Sequence, residues 1–476
     1  MTTETKQNLK TRQPVIVVVG HVDHGKTTLL DFIRKAKVAE REAGGITQAV
    51  GAYEAEFQGK KLTFIDTPGH EAFSKMRARG AEAADVAILV VAADESVKPQ
   101  TLEAIKTLNQ TKTPYVVAIN KIDKGGDIEK VKADLAAQGI HVDGYGGNIP
   151  FHGISAKTGE GVNELLELVV LTAELEHLSY DPDANPKGYV LEARMNRNRG
   201  IETTIILKDG VLRRGEEVGT PSVKGKARIL ENFLGKQVEV LTAGEPAVIL
   251  GFENMPQAGE EFSAREIFAA PEAKKAGSNV KDVEKNSLRL ILKSSDQGSL
   301  EALRDIITHL DQSKPLAIVS DGVGEVNDGD VKLAISTGSF IIGFKTKVDK
   351  AAIQLAEAHR VKIITSEIIY DLVKAVQDFF ADLSKKTSLG ELEVLAVFNK
   401  ERLNKQVVGG RVTHGSFRNK APFQVKRGEE MVGNGRVQSL QTGKKDAGSV
   451  GEGNEAGLIV NSQVEILVGD HLIINE

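Results

Sequence analysis

A run of five apolar residues, Val15–Val19, leads straight into Gly20-His21-Val22-Asp23-His24-Gly25-Lys26-Thr27, and no other feature constrains the chain as much. The octet fits G-x-x-x-x-G-K-[ST] and is followed by an amphipathic helical pattern, so it reads as strand, tight loop and helix. Glycines let backbone N–H groups curl around a phosphate, and the helix N-terminus adds its dipole. Lys26 is expected to bridge the β- and γ-phosphates of a nucleotide and the Thr27 hydroxyl to ligate Mg²⁺, with Thr28 completing the loop. Such a loop belongs on a parallel sheet. Residues 14–180 supply one, alternating short β-branched runs (Leu62–Ile65, Val86–Val91, Tyr115–Ile119) with helical patterns.

The ends of those runs carry the remaining chemistry. Asp66-Thr67-Pro68-Gly69-His70 follows Leu62–Ile65. A carboxylate there suits a water-mediated contact to Mg²⁺, and the Gly69 N–H can reach a γ-phosphate and sense its loss. Asn120-Lys121-Ile122-Asp123 follows Tyr115–Ile119 and selects the base. The Asp123 carboxylate can accept from guanine N1–H and its exocyclic amine, a donor pair adenine lacks. At about 1.5–3 kcal/mol per charged bond, the pair discriminates by roughly 10²–10⁴. Ser155-Ala156-Lys157 is expected to close over the guanine. Gly44-Gly45-Ile46-Thr47-Gln48 is either a mobile loop that brings Thr47 to Mg²⁺ or a plain flexible turn.

Beyond residue 180 the pattern changes. Asp181-Pro182-Asp183-Ala184-Asn185-Pro186 is a turn-rich break. The expected plan is a polar arm at 1–13, a GTP-binding domain at 14–180, a β-barrel at 181–268 and a linker at 269–285. An α/β domain at 286–384 ending in a helix and a last β-barrel at 391–476 complete it. The fold class is therefore multidomain α/β plus β. The barrel regions share a pattern. Gly210-Val211-Leu212-Arg213 and Gly415-Ser416-Phe417-Arg418 are followed by Val218 and Phe423 at equal distances. Glu245, Val248-Ile249-Leu250 and Gly259 recur in spacing as Glu455, Leu458-Ile459-Val460 and Gly469. Two such matches in one order suggest two barrels of one type, with shared turn chemistry alone as the alternative. Ile368, Ile369, Leu372, Val373, Val376, Phe379, Phe380 and Leu383 form a helical apolar stripe.

Composition narrows the functional classes. The 61 Lys and Arg against 66 Asp and Glu leave a net charge of −5, so any RNA contact must be local. Zero cysteines exclude disulfides, thiol catalysis and Cys-based zinc. The apolar runs fall far short of the ~20 residues of a membrane helix, and a cytoplasmic, monomeric protein is expected. Residues 400–445 hold 11 Lys and Arg against Glu401, Glu429 and Glu430, a basic surface suited to tRNA or a merely solvated face.

Through GHVDHGKTTL, DTPGH, NKID and SAK the chain resembles the translational GTPases. EAGGITQAVGAY and DTPGHEAFSKMRARGA resemble the bacterial initiation factor 2 family in particular. PQAGEEF, SSDQGSLEAL, the Ile341–Phe344 run, GGRVTHGSF and EILVGDHL extend the likeness over nearly all of residues 14–476. Elongation factors Tu and G fit less well, because barrel, α/β layer, barrel is the initiation-factor order. The resemblance implies GTP and GDP as ligands with Mg²⁺, and a monovalent cation held by Asp23. It implies the 30S and 50S ribosomal subunits, their RNA and initiator tRNA as partners. It also makes His70 the residue that orients water, behind an apolar gate of Val22 and Ile46. From the residues alone, His70 could equally be a solvated loop histidine. No arginine finger is identifiable, so slow unstimulated turnover is expected. Another tRNA-delivering GTPase and a non-hydrolysing ribosome-binding scaffold are the competing readings.

The last barrel departs from the family pattern. Gly410 and Ala456 stand where cysteines are usual, and Gln441-Thr442-Gly443 replaces a Lys-Arg-aromatic cluster, though Lys444 remains. Phe398, Glu455 and Gly457 match. The family's long N-terminal extension corresponds here to about 13 residues. These changes are expected to spare the barrel and weaken its hold on the formylmethionyl end.

Overall fold

The computed structural model describes residues 9–34, 51–69, 71–265, 287–310, 315–399, 405–428, 430–443 and 445–475. His70, Lys444, the 44–48 loop with Ile46 and Thr47, and the whole 269–285 linker lie outside them. The chain separates into two compact units, residues 1–373 and 374–476.

The first α/β layer comprises β1 (Lys10–Thr11), β2 (Val15–Gly20), β3 (Gly51–Phe57), β4 (Lys60–Asp66), β5 (Val86–Ala92), β6 (Tyr115–Asn120), β7 (Phe151–Gly153) and β8 (Ser179–Tyr180). Its helices are α1 (Lys26–Arg34), α2 (Ser74–Ala83), α3 (Pro99–Thr111), α4 (Ile128–Ala137) and α5 (Val162–Leu175). The six-stranded sheet runs β3-β4-β2-β5-β6-β7, parallel except for β3 against β4. Every residue of β2 and β5 is buried, as strands covered on both faces must be. Alternate residues divide the core. Val15, Val17 and Val19 pack with Ile105 and Leu135 of α3 and α4, while Ile16 and Val18 pack with Leu29 and Leu165 of α1 and α5. Pro99 opens α3 where its missing N–H costs nothing, and the Asp127 carboxylate caps α4 by accepting from Glu129 and Lys130.

The last residues of the polar arm join the first layer. β1 pairs antiparallel with β8, Lys10 opposite Tyr180. Arg12 makes two bonds to Asp85, at 2.6 and 2.7 Å, and both side chains are buried. Lys208 of the first barrel donates to the same carboxylate at 2.5 Å, and the Val15 N–H donates at 2.8 Å. Burial alone would raise the Asp85 pKa; the bonds from Arg12 and the charge of Lys208 outweigh it and hold the carboxyl below its ordinary value. Gln13 and Thr63 both donate to the Gly244 carbonyl. Partners 73 and 123 positions apart leave no local signature in a sequence.

The first barrel uses β9 (Lys187–Asn196), β10 (Gly200–Asp209), β11 (Val211–Arg213), β12 (Glu217–Gly219), β13 (Lys224–Asn232), β14 (Val240–Thr242), β15 (Pro246–Phe252) and β16 (Glu261–Ala264). Six of these close in the order β10-β15-β13-β12-β16-β9. The second α/β layer has β17 (Leu288–Ser294), β18 (Leu316–Val323), β19 (Phe340–Phe344) and β20 (Ile363–Ser366), all parallel, in the order β18-β17-β19-β20. Its helices are α6 (Gln297–His309), α7 (Asp328–Thr337) and α8 (Lys350–His359). Helix α9 (Ile369–Thr387) buries Ile369, Leu372, Val376 and Phe380, one stripe of the predicted pattern. It runs to Thr387, past the expected boundary at 384, and 384–387 hold no glycine or proline to break a helix.

The last barrel has β21 (Ser388–Asn399), β22 (Gln406–Arg418), β23 (Pro422–Arg427), β24 (Glu430–Thr442), β25 (Lys445–Asp446), β26 (Ser449–Gly451), β27 (Glu455–Ser462) and β28 (His471–Asn475). The order β21-β28-β23-β24-β27-β22, closed by β21 on β22, repeats that of the first barrel strand for strand. Turn bonds repeat too. The Gly259 N–H donates to Val190 and that of Gly469 to Val394, at 2.7 and 2.8 Å. The shared sequence pattern thus reflects a shared topology.

Candidate functional site

The C-terminal ends of β2, β4, β6 and β7 converge, and in an open parallel sheet that edge is where ligands bind. Gly20 and Gly25 adopt φ of +143° and +90°. A Cβ on Gly20 would lie 2.3 Å from the Val90 carbonyl, and one on Gly25 2.2 Å from the Asn120 amide. Only glycine fits either place. The Lys26 ammonium is buried and donates to the Gly20 and His21 carbonyls at 2.9 and 2.6 Å, so the loop wraps its own lysine. Burial lowers that lysine to about 8, against the opposing pull of Asp66 and Asp23. An anion arriving there would restore the charge that burial disfavours.

Asp66 ends β4 beside β2, in register with Val18, and Thr67 donates to the Val18 carbonyl at 2.9 Å. Gly69 comes against the loop: a Cβ there would sit 2.4 Å from the Lys26 Nζ and 3.2 Å from the Val22 nitrogen. Thr27 and Asp66 offer hard oxygen donors of the kind Mg²⁺ takes alongside phosphate. Burial lowers the pKa of both loop histidines, His24 to about 4, so neither adds charge near neutrality.

The loops after β6 and β7 are tied to the Gly20–Thr27 loop by one side chain. Asn120 donates through Nδ2 to the His24 carbonyl at 2.8 Å and accepts the Ala156 N–H at 2.9 Å. Ser155 and Ala156 are buried beneath it, while Asp123 is exposed on the short turn Ile122–Lys124. Lys121, at φ +67°, reaches Asp94 and Glu95 at 3.3 and 3.2 Å. The phosphate loop, the Asp66–Gly69 turn, Asn120 and Ala156 are thus brought together at this one edge of the sheet.

Sequence reasoning missed the residues that brace it. Arg77 of α2 is 2% exposed, donates to the Pro68 carbonyl at 3.1 Å and pairs with Glu103 at 2.6 Å, fixing the turn after Asp66. Gln100 of α3 accepts the Val22 N–H at 3.0 Å. An arginine at a core position of an Ala-rich helix was the only available signal for the first; the second had none.

In the last barrel, Ala396, Gly409, Gly457 and Gln441 lie side by side on four adjacent strands of the outer face. Phe398 borders this row, 72% exposed, its ring 3.2 Å from where a Cβ on Gly409 would be. Arg411 and Glu455 pair beside it at 3.3 Å, and Thr442 donates to the Glu455 carbonyl. Gly410 and its cross-strand partner Ala456 point the other way, into the core. A Cβ at 410 would lie 2.3 Å from Leu392. Two of the three departures therefore alter packing beneath the face and leave its surface unchanged. Of the basic residues, Arg427 is spent on the buried Asp470, at 2.8 and 2.9 Å.

A nucleotide-type α/β layer followed by barrel, α/β layer and barrel is the order of the translational GTPase fold, and family models match three successive segments of the chain. Residues 11–174 match the elongation factor Tu GTP binding domain, 185–265 elongation factor G domain 2, and 265–377 translation-initiation factor 2. Within that class the chain is similar to translation initiation factor IF-2 of Aquifex aeolicus, with 38% identity over 491 residues. That match takes in 98% of this chain and 61% of the relative's length. Among solved structures, GDP-bound aIF5B from Aeropyrum pernix has 25% identity and a TM-score of 0.45, covering 98% of this chain and 92% of that one. Bacterial selenocysteine-specific elongation factor EF-Sec has 24% identity and a TM-score of 0.44, covering 53% and 45%. Among the described residues, no helix is long and apolar enough to cross a membrane.

Proposed function

We propose that the chain hydrolyses GTP on the ribosome, brings initiator tRNA to the 30S subunit and promotes joining of the 50S subunit. In this reading Lys26 exchanges the Gly20 and His21 carbonyls for phosphate oxygens. Gly69, set against Lys26 and Val22, reports the terminal phosphate through its backbone. Thr27, Asp66 and Thr47 hold Mg²⁺, which supplies neutralisation of developing phosphate charge when bound. Asp123 reads guanine, and Asp23 holds a monovalent cation. His70 orients the attacking water.

The observation that carries the tRNA half of the reading is the outer face of the last barrel. A floor of Ala396, Gly409 and Gly457 beside the exposed ring of Phe398 suits a small apolar acyl-amino-acid end. Exposed Arg418, Lys420 and Lys445 suit phosphates of an acceptor stem. The test is nucleotide-dependent retention of formylated, acylated initiator tRNA on 30S subunits, together with phosphate release on 70S ribosomes by wild type and His70→Ala. The reading expects GTP-dependent retention, and hydrolysis lost only in the variant. Equal retention of an elongator aminoacyl-tRNA would point to a different delivery factor. Absence of any ribosome-stimulated phosphate release would leave a nucleotide-gated scaffold.

A further inference from the structure

Glu192 of β9 is 6% exposed and reaches out of the first barrel to the second α/β layer. Its Oε1 accepts the Gly298 N–H, in the first turn of α6, at 3.1 Å, and the Ala193 N–H at 3.0 Å. Its Oε2 is buried with no hydrogen-bond partner, and so is the hydroxyl of Ser299 in the same turn. Two residues along β9, Arg194 bridges through its backbone to Asp296, the N-cap of α6. Asp296 is 5% exposed; one oxygen accepts the Ser299 N–H at 2.7 Å and the other the Ser295 hydroxyl at 2.5 Å. Helix α2 forms the third wall. A Cβ on Gly298 would fall 2.2 Å from the Met76 methyl and 3.0 Å from Glu192 Oε2.

The charged groups facing this point can be named from each element. From α6 come Asp296 and Glu301; from α2 come Arg79, bound to Glu301 at 2.6 Å, and Lys75, bound to Glu301 and Asp305. From the barrel comes Arg194, largely exposed and turned to Glu202 at 2.6 Å. Two carboxyl groups thus share a buried place with one arginine, Arg79, whose Nη2 is taken by Glu301 and whose buried Nη1 bonds to neither carboxyl. Like charges so placed cannot both ionise cheaply. The place is also telling: the N-terminus of α6, at the C-terminal end of β17 where the strand order turns, is where α/β layers take ligands. Here a side chain of the same protein fills it.

We propose that Glu192 is a proton-dependent latch, which holds the first barrel, α2 and the second α/β layer together while protonated and loosens them when it ionises. Burial first, then the charge of Asp296, push the Glu192 carboxyl from 4.5 up to about 8, against the N–H groups of Gly298 and Ala193 and the charge of Arg79. A docked pKa above the undocked one means that docking takes up a proton. The junction is therefore strongest below the undocked value and loses strength as pH rises through the docked one. From about pH 6 to about pH 8.5 the docking equilibrium weakens on the order of tens of fold. Since α2 follows the Asp66–Gly69 segment and Arg77 binds the Pro68 carbonyl, a shift of that segment reaches the latch through Met76 and Arg79.

The test is hydrogen–deuterium exchange of the full chain at those two pH values, with labelling times scaled for the intrinsic rate. Peptides from α6 report the junction and peptides from β2 and β5 serve as reference. The latch predicts that wild-type α6 loses tens of fold in protection at the higher pH while the reference peptides do not. Glu192→Gln, which keeps the acceptor for Gly298 and cannot ionise, stays protected at both. Asp296→Asn retains a capping side chain but removes the neighbouring charge, so its loosening moves to lower pH. A wild type whose α6 protection does not depend on pH, or a Glu192→Gln protein with the wild-type pH profile, overturns the proposal. If Glu192→Gln does not fold, the wild-type profile and the direction of the Asp296→Asn shift decide it.

Discussion

Asn120→Ala is the sharpest test of how the nucleotide cleft is held together. The wild-type side chain is 2% exposed and makes two bonds, at 2.8 Å to the His24 carbonyl and at 2.9 Å from the Ala156 N–H. One links the phosphate loop to β6; the other links β6 to the loop expected to cover the base. Alanine removes both and leaves a buried acceptor and a buried donor without partners, each worth about 1–3 kcal/mol. Water can reach loops at a cleft rim, so the lower end applies, a total of about 2–3 kcal/mol. Most of this should appear as lost nucleotide affinity, because both loops must be re-ordered by the ligand. A loss of about 2 kcal/mol is roughly 30-fold in Kd. Titration with a fluorescent guanine nucleotide measures it, and thermal unfolding without nucleotide measures the remainder. A variant whose affinity stays within about threefold of wild type (under about 0.7 kcal/mol) would show that the two loops are positioned by something other than Asn120.

Three further outcomes follow from particular contacts. Asp85→Asn leaves Arg12 and Lys208 facing each other without their shared carboxylate, which should cost about 3–5 kcal/mol and lower the midpoint by roughly 10 °C in thermal unfolding. Because the native Asp85 pKa is held below its ordinary value, its contribution is present above that ordinary value and fades as pH falls through the native one. The variant should accordingly show a flatter acid limb, and an unchanged limb would refute the joint. Asp123→Asn should exchange guanine for xanthine preference, read by competition between the two triphosphates; undiminished GTP binding with no gain for xanthosine triphosphate would remove Asp123 from base recognition. Initiator tRNA should bind the chain with a formyl-dependent gap below about tenfold, or 1.4 kcal/mol. Neutralising Arg418 or Lys420 singly should reduce the slope of log affinity against log salt by roughly 0.7–0.9. A larger gap measured at one salt concentration would mean that the Phe398 face forms a specific pocket despite Gln441-Thr442-Gly443.

The strand, tight loop and helix around Gly20–Thr27 were legible in the sequence because their parts are local. A tight loop after a buried strand needs glycines with positive φ, and a phosphate at a helix start needs a lysine, so Gly20–Thr27 announces itself within eight residues. The same holds for strands β2, β5 and β6, whose continuous apolar runs suit a sheet covered on both sides. The barrels were readable as a pair because their turn glycines recur at equal spacing, but the identical strand order is seen only in the structure. What only the tertiary structure decided lies between elements distant along the chain. Arg12, Asp85 and Lys208 form one buried joint, Arg77 pairs with Glu103 of α3, and Glu192 sits against the first turn of α6, each across separations that carry no periodic signal. The direction of Gly410 into the core is of the same kind: one residue along a strand reverses the face, and only the register of β22 against β21 and β27 fixes which face that is.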